Sequence, residues 1–159
     1  MYDWAKSKDI TSIGCMAHAR RKFKKVVKAY KATDGIAYDI MKIIKKLYKI
    51  EEIIVEENFS IKQIEEQRNK SSRPLIEQMH ARLLKEENAV YLKSTLGQAI
   101  SYTLRERPRL IKYLDDGRMR IDNNHTEREA KFLAVGRKIG YLPYQKEGLK
   151  RMQFYIQYH

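Results

Sequence analysis

The stretch Ile121-Asp-Asn-Asn-His-Thr-Glu-Arg128 sets a carboxylate and a guanidinium side by side in a segment that otherwise starts like a helix. Two chemistries fit it. Asn124 can cap the helix while Glu127 at the third helical position reaches back, which is a capping box. Alternatively Glu127 is a metal-holding carboxylate in the first turn, with Arg128 and then Lys131 placed to hold phosphates beside the cation. The two readings differ only in where the carboxylate points. A second candidate is the basic run Arg20-Arg21-Lys22-Phe23-Lys24-Lys25. Cations on one helical face, with Phe23 turned to the core, suit a surface that tracks a phosphate backbone; they equally suit a solvated face that keeps the protein soluble. Cys15 and His18 have half of a zinc-site spacing, but a structural site needs four ligands. The chain has 1 cysteine, and His80, His125 and His159 are scattered. Arg20 and Arg21 would lower the pKa of a Cys15 thiol, yet no orienting pair is in view, so a buried thiol is the expectation. There is no Gly-rich phosphate loop and no nucleophile elbow.

Composition narrows the partner. Of 159 residues, 33 are Lys or Arg and 20 are Asp or Glu, so the formal net charge is +13, spread from Lys6 to Arg151. Such an excess favours polyanions, nucleic acid ahead of acidic membranes. The single cysteine excludes an internal disulfide, and no stretch approaches the roughly 20 apolar residues that cross a bilayer. The first residues, MYDWAKSKDITS, have no apolar signal core, so a reducing cytoplasm is the expected compartment.

Those candidates must be positioned by helices. Ile10 to Ala17 is short, apolar and partly β-branched, and is expected to form a buried strand. From Ala17 to Ala32, Ala19, Phe23, Val26, Val27 and Tyr30 repeat at helical spacing against a basic back. Asp34-Gly35 breaks that helix. A second, from about 36 to 57, carries Ile36, Ile40, Ile43, Ile44, Leu47, Ile50 and Ile54 on one face. Ser60-Ile-Lys-Gln63 has capping-box form, and the helix it opens runs through the polar "EEQRNKSSR" to Pro74, which kinks it or opens a new one. Leu75, Met79 and Leu83 continue the apolar line. Leu92, Leu96, Ala99, Ile100 and Thr103 define a further helix, interrupted by Pro108 before Leu110, Ile111 and Leu114, and Asp115-Asp-Gly117 stops it. There is no internal repeat and no flexible linker. The segments from Ala17 to Asp115 therefore read as almost wholly helical.

Two motifs carry a resemblance. "GCMAHARRKF" (Gly14 to Phe23), followed about a hundred residues later by "YLDDGRMRIDNNHTEREAKFLAVGRKIGYL" (Tyr113 to Leu142), resembles the transposases of the insertion sequence 66 family. The resemblance implies a ribonuclease H-like core with an Asp-Asp-Glu metal triad, in which a largely helical insertion precedes the glutamate. The implied fold is mainly α, a helical insertion plus a partial ribonuclease H-like core with one or few short strands. Residues from about 10 to 32 would be a core strand and helix, 33 to 117 the insertion, and 118 to 142 the core segment carrying the triad glutamate, Glu127. It further implies Mg2+ or Mn2+ as the cations that activate a water and then a DNA 3′ hydroxyl for attack on a phosphodiester.

The DNA of transposon ends is the implied partner, together with a homo-oligomer or a full-length transposase, in a bacterial cytoplasm. The resemblance implies Arg20, Arg21, Lys22, Arg128, Arg137 and Lys138 as DNA contacts, and Lys24, Lys25 and Lys131 join them from the readings of the basic run and the Glu127 segment above. The family's second Asp has an Asp-Gly-Tyr context that would lie just before Met1, and Asp3 and Asp9 lack it. The resemblance therefore leads to the expectation of a shortened catalytic core that is inactive alone. The alternative is a non-catalytic basic module that binds DNA or regulates a transposase.

Overall fold

In the computed structural model, which describes residues 14–122, five α-helices follow one another. They are α1 (Met16–Tyr30), α2 (Gly35–Glu56), α3 (Ile61–Gln67), α4 (Arg73–Glu87) and α5 (Thr95–Leu110). A π-helical turn, Arg68–Ser72, joins α3 to α4, and a 3-10 turn, Lys112–Leu114, follows α5. Among the described residues there is no strand, so the sheet of a ribonuclease H-like core is not among them. Met16 and Ala17, assigned above to a strand, open α1 instead, and Gly14 and Cys15 precede it outside any strand; residues 10 to 13 of that segment lie outside the described residues. The physical reason is local. Extended backbone ends at Cys15 (φ −104°, ψ 110°), and from Met16 the apolar spacing Met16, Ala19, Phe23, Val26 satisfies a 3.6-residue period that a short apolar run leaves open.

The core is where these stripes meet. α1 packs on α2 and α5, and α4 packs on the same two helices. Met16, Phe23, Ile40, Ile44, Leu47, Ile76, Leu83, Ile100 and Leu114 are fully buried between them. The apolar face of α2 falls where its isoleucines place it, with Ile40, Ile43, Ile44, Leu47 and Ile54 buried and Ile36 and Ile50 at its margin. Tyr30 departs from its expected place: at the last position of α1 it is 69% exposed, because Lys31 turns the chain into the left-handed region (φ 48°) directly after it.

Ser60 starts α3 as its sequence requires. Its N–H donates to Gln63 Oε1 at 2.8 Å, and its hydroxyl accepts from the Gln63 N–H at 3.5 Å. Pro74 then explains the π turn. A proline lacks the N–H that an α-helix needs and its ring crowds the carbonyl four residues back. Here the ladder widens just before it, with the Arg73 N–H donating to the Arg68 carbonyl, and Pro74 sits in the first turn of α4.

The polar stretch before Pro74 is only partly solvated, with Asn69 and Lys70 exposed. Arg68 is 3% exposed and Ser72 is fully buried. α5 begins later than the apolar spacing suggests, because Ser94 Oγ caps it by accepting from the Gly97 N–H at 2.9 Å. Leu92 lies ahead of the helix, 61% exposed. Gly97 is required there, since a Cβ would stand 2.3 Å from the Tyr91 carbonyl oxygen. Pro108 does not interrupt α5, which runs on to Leu110; its missing N–H costs one bond to the carbonyl four residues back, and the Ile111 N–H still closes the last turn on the Arg107 carbonyl at 3.1 Å.

Candidate nucleic-acid interface

The first motif is built into the N-terminal end of α1, and its glycine sets a close approach. The Gly14 N–H donates to the Arg109 carbonyl at 2.9 Å. A Cβ on Gly14 would stand 2.8 Å from the Leu110 nitrogen, so only glycine lets the chain lie this close to the end of α5. Two residues on, the Met16 N–H donates to the Ile121 carbonyl at 3.1 Å. That bond satisfies one of the four donors that a helix start leaves open. It also joins the first motif to the beginning of the second, more than a hundred residues away in sequence. Tyr113, Leu114 and Ile121 of the second motif share the core with Met16, Ala19 and Phe23 of the first.

Polar side chains gather at this junction. The Tyr48 hydroxyl, from α2, donates to Asp122 Oδ2 at 2.8 Å. Burial, then the hydrogen bond and charge of Asp122, hold the Tyr48 phenol far above its ordinary range, with Cys15 adding to the rise. The Arg20 guanidinium, 5.2 Å above the Tyr48 ring, pulls the other way. Cys15 is buried, and its carbonyl accepts from the His18 N–H at 3.0 Å. No three His, Cys, Asp or Glu side chains among the described residues are grouped to hold a metal ion. Cys15 and His18 lie at the entry to α1, Cys15 buried and His18 half-buried.

The loop that leads to the junction is held from the π turn. Arg68 grips Glu51 with Nε at 3.0 Å and Nη2 at 2.7 Å, while its Nη1 donates to the carbonyls of Tyr113 and Asp116 at 2.8 and 3.1 Å. The same guanidinium lies 5.1 Å over the Tyr113 ring. The Gly117 N–H donates to Glu65 Oε1 at 3.0 Å, and Arg73 pairs with Asp115 at 3.0 Å. A Cβ on Gly117 would stand 2.5 Å from the Ile61 carbonyl oxygen, so the Asp-Asp-Gly turn docks on the start of α3 by backbone contact. Arg118 folds back on Asp116 and holds that carboxyl below the usual carboxylate range.

Outside this junction α1 presents its cations. Arg20, Arg21, Lys24, Lys25 and Lys28 are exposed, and at 100° per residue they fall within an arc of about 140° opposite the buried Ala19, Phe23 and Val26. Lys24, Lys25 and Lys28 have no carboxylate partner among the described residues. Lys22 is turned out of that arc: it is half-buried, with Nζ 4.6 Å from the centre of the Tyr102 ring on α5, which Arg105 also overlies. Glu127, Arg128, Lys131, Arg137 and Lys138 lie outside the described residues. Tyr48 and Arg68 are the residues that sequence reasoning missed. Tyr48 sits beside the apolar stripe of α2 and Arg68 within a polar run, and neither position has a local signal of a long-range bond.

Comparison with known proteins adds a family to this geometry. Residues 1–151 match the family described as "Transposase IS66 family". Three uncharacterized proteins of Sinorhizobium fredii (strain NBRC 101917 / NGR234) are similar to the chain. Protein y4jD is 39% identical over 124 residues, covering 78% of this chain and 24% of its own length. Protein y4hP is 31% identical over 147 residues, covering 84% and 26%, and y4qI is 30% identical over 125 residues, covering 79% and 22%. The chain spans about a quarter of the length of these curated relatives. No solved structure matches it.

Proposed function

The chain belongs to the Transposase IS66 family, and from that premise we propose that it serves DNA transposition of the metal-dependent Asp-Asp-Glu class, with the outer face of α1 as a contact for the DNA backbone. The observation that carries the reading is the exposed arc of Arg20, Arg21, Lys24, Lys25 and Lys28, set on the same helix whose first turn meets the second motif. Lys24, Lys25 and Lys28, which have no carboxylate partner among the described residues, lose little on meeting phosphates, and each such contact releases condensed counterions from the DNA. Phosphate contacts of this kind position a protein and carry no base sequence.

In this proposal Glu127 is the triad glutamate, and Arg128, Lys131, Arg137 and Lys138 extend the phosphate contacts around it. Mg2+ or Mn2+ would supply the activation of water and of a DNA 3′ hydroxyl. No three His, Cys, Asp or Glu side chains among the described residues are grouped to hold such an ion; in this proposal Glu127 is one of its ligands. The described helices contribute placement: Met16 and Tyr48 fix Ile121 and Asp122, a few residues ahead of Glu127. Among the described residues no helix is long and apolar enough to cross a membrane.

The test is binding of duplex DNA by the full chain and by an Arg21→Gln, Lys24→Gln, Lys25→Gln variant. All three positions are exposed, so helix content is expected to persist while affinity falls. Equal affinities for the two proteins would remove α1 from the proposal.

A further inference from the structure

A second cationic surface lies away from α1. An open groove of about 590 Å³ runs between α2 and α4, and its lining includes Lys42, Lys45, Lys46 and Lys49 from α2, with Arg82 and Asp39 at one side. Among the described residues, five cations and one carboxylate therefore line it. The four lysines follow the spacing i, i+3, i+4, i+7, which keeps them on one face along about 10 Å of helix axis.

Three of the five cations have local partners. Arg82 is held by Asp39, Lys49 meets Glu52 at 2.9 Å, and Lys42 lies 4.4 Å from the centre of the Tyr38 ring. Lys45 and Lys46, both exposed, have no ion pair among the described residues.

Like charges at i, i+4 repel, so Lys42 with Lys46 and Lys45 with Lys49 weaken the isolated helix by a repulsion that a polyanion would relieve. A cleft lined by one sign of charge also focuses its field beyond what the same lysines give on a convex surface. Among the described residues no aromatic side chain lines the groove, so they offer no platform for stacking unpaired bases. Its chemistry suits phosphates of a duplex, read without base contacts.

We propose that the α2–α4 groove tracks the sugar-phosphate backbone of duplex DNA, as a second strip beside the one on α1. The inference rests on DNA being the partner proposed above. Lys45 and Lys46 are its principal contacts, and the exposed Lys49 to Glu52 pair is weak enough to exchange its carboxylate for a phosphate.

The experiment is fluorescence anisotropy of the full chain with a labelled duplex of arbitrary sequence, measured over a salt series. Four proteins are compared: wild type, Lys45→Gln with Lys46→Gln, the α1 triple variant, and the combination, each checked for helix content by circular dichroism. Two lost phosphate contacts lower the slope of log affinity against log salt by about 1.8. Between about 50 and 200 mM salt the wild type then loses roughly tenfold more affinity than the groove variant. A groove variant with the wild-type slope and affinity overturns the inference. If the α1 variant is weakened at the same time, the proposed function stands without the groove. Loss confined to the groove variant supports the groove and removes α1, and a wild type that binds no duplex overturns both.

Discussion

Replacing Arg68 by alanine tests whether the polar stretch before Pro74 is the anchor of the Asp-Asp-Gly turn. Arg68 is 3% exposed, and its side chain makes four hydrogen bonds, two to Glu51 and one each to the carbonyls of Tyr113 and Asp116. The substitution leaves a carboxylate that is 16% exposed without its counter-charge and the Tyr113 carbonyl without this donor, while the Asp116 carbonyl keeps the Met119 N–H at 3.1 Å. Breaking a buried pair from one side costs about 3–5 kcal/mol. Against a total of about 5–15 kcal/mol for a domain, this is a large share.

The internal control is Asp115→Ala, which removes the Arg73 pair on the same turn. Its partners are 40% and 61% exposed, and such pairs contribute less than about 1 kcal/mol. Urea unfolding followed by circular dichroism separates the two. With a denaturant slope of about 1.5 kcal/mol/M, Arg68→Ala lowers the midpoint by about 2–3 M and Asp115→Ala by under about 0.7 M. Arg68→Met combined with Glu51→Leu recovers part of the loss, because the stranded charge goes with its partner. A midpoint for Arg68→Ala equal to that for Asp115→Ala would refute the assignment of Arg68 as the anchor.

Other expectations follow from single contacts. Gly97→Ala places a methyl 2.3 Å from the Tyr91 carbonyl oxygen, and is expected to lower stability by about 1–3 kcal/mol in a thermal melt, whereas no atom lies near a Cβ on Gly35 and alanine there costs only the positive-φ strain of about 1–2 kcal/mol. Tyr48→Phe removes the hydrogen bond to a carboxylate, expected to cost about 1.5–3 kcal/mol. Because the Tyr48 phenol is raised, first by burial and then by Asp122, its stabilising contribution is full below the ordinary tyrosine range near pH 10 and declines as pH rises beyond it. Absorbance titration of Asp122→Asn should show Tyr48 ionising at lower pH than in the wild type. Asp116 is held low chiefly by its hydrogen bond to Arg118, so that contribution is complete above the unfolded carboxylate range near pH 4 and is lost as pH falls below it. A carbon-detected NMR titration should move the Asp116 midpoint upward in Arg118→Gln.

The helices were legible where one stripe of apolar residues repeats without competition. α2 follows its isoleucines, and the Ser60 to Gln63 box marks the start of α3 because its two partners are three residues apart in sequence. Met16 and Ala17 were assigned to a strand because a short apolar run fits a period of 2 as well as one of 3.6. The π turn was invisible to periodicity: it is a local answer to Pro74, and Arg68 is buried only because Glu51, Tyr113 and Asp116 come to it from distant positions. Of the candidate site, the amphipathic basic face of α1 was readable and its exposed arc is as expected, except that Tyr102 draws Lys22 aside. The meeting of the two motifs was not readable, since a bond from Met16 to Ile121 has no trace in either segment's composition. Glu127 and the basic residues after it fall outside the described residues.

The most direct test of α1 as a DNA contact is lysine footprinting. The full chain is acetylated briefly with and without duplex DNA, and each lysine's modification is read by mass spectrometry. Lys24, Lys25 and Lys28 are exposed on the outer arc, and Lys62 is exposed on α3. The account predicts that DNA protects Lys24, Lys25 and Lys28 strongly and leaves Lys62 unchanged. Equal modification of the α1 lysines with and without bound DNA would contradict it.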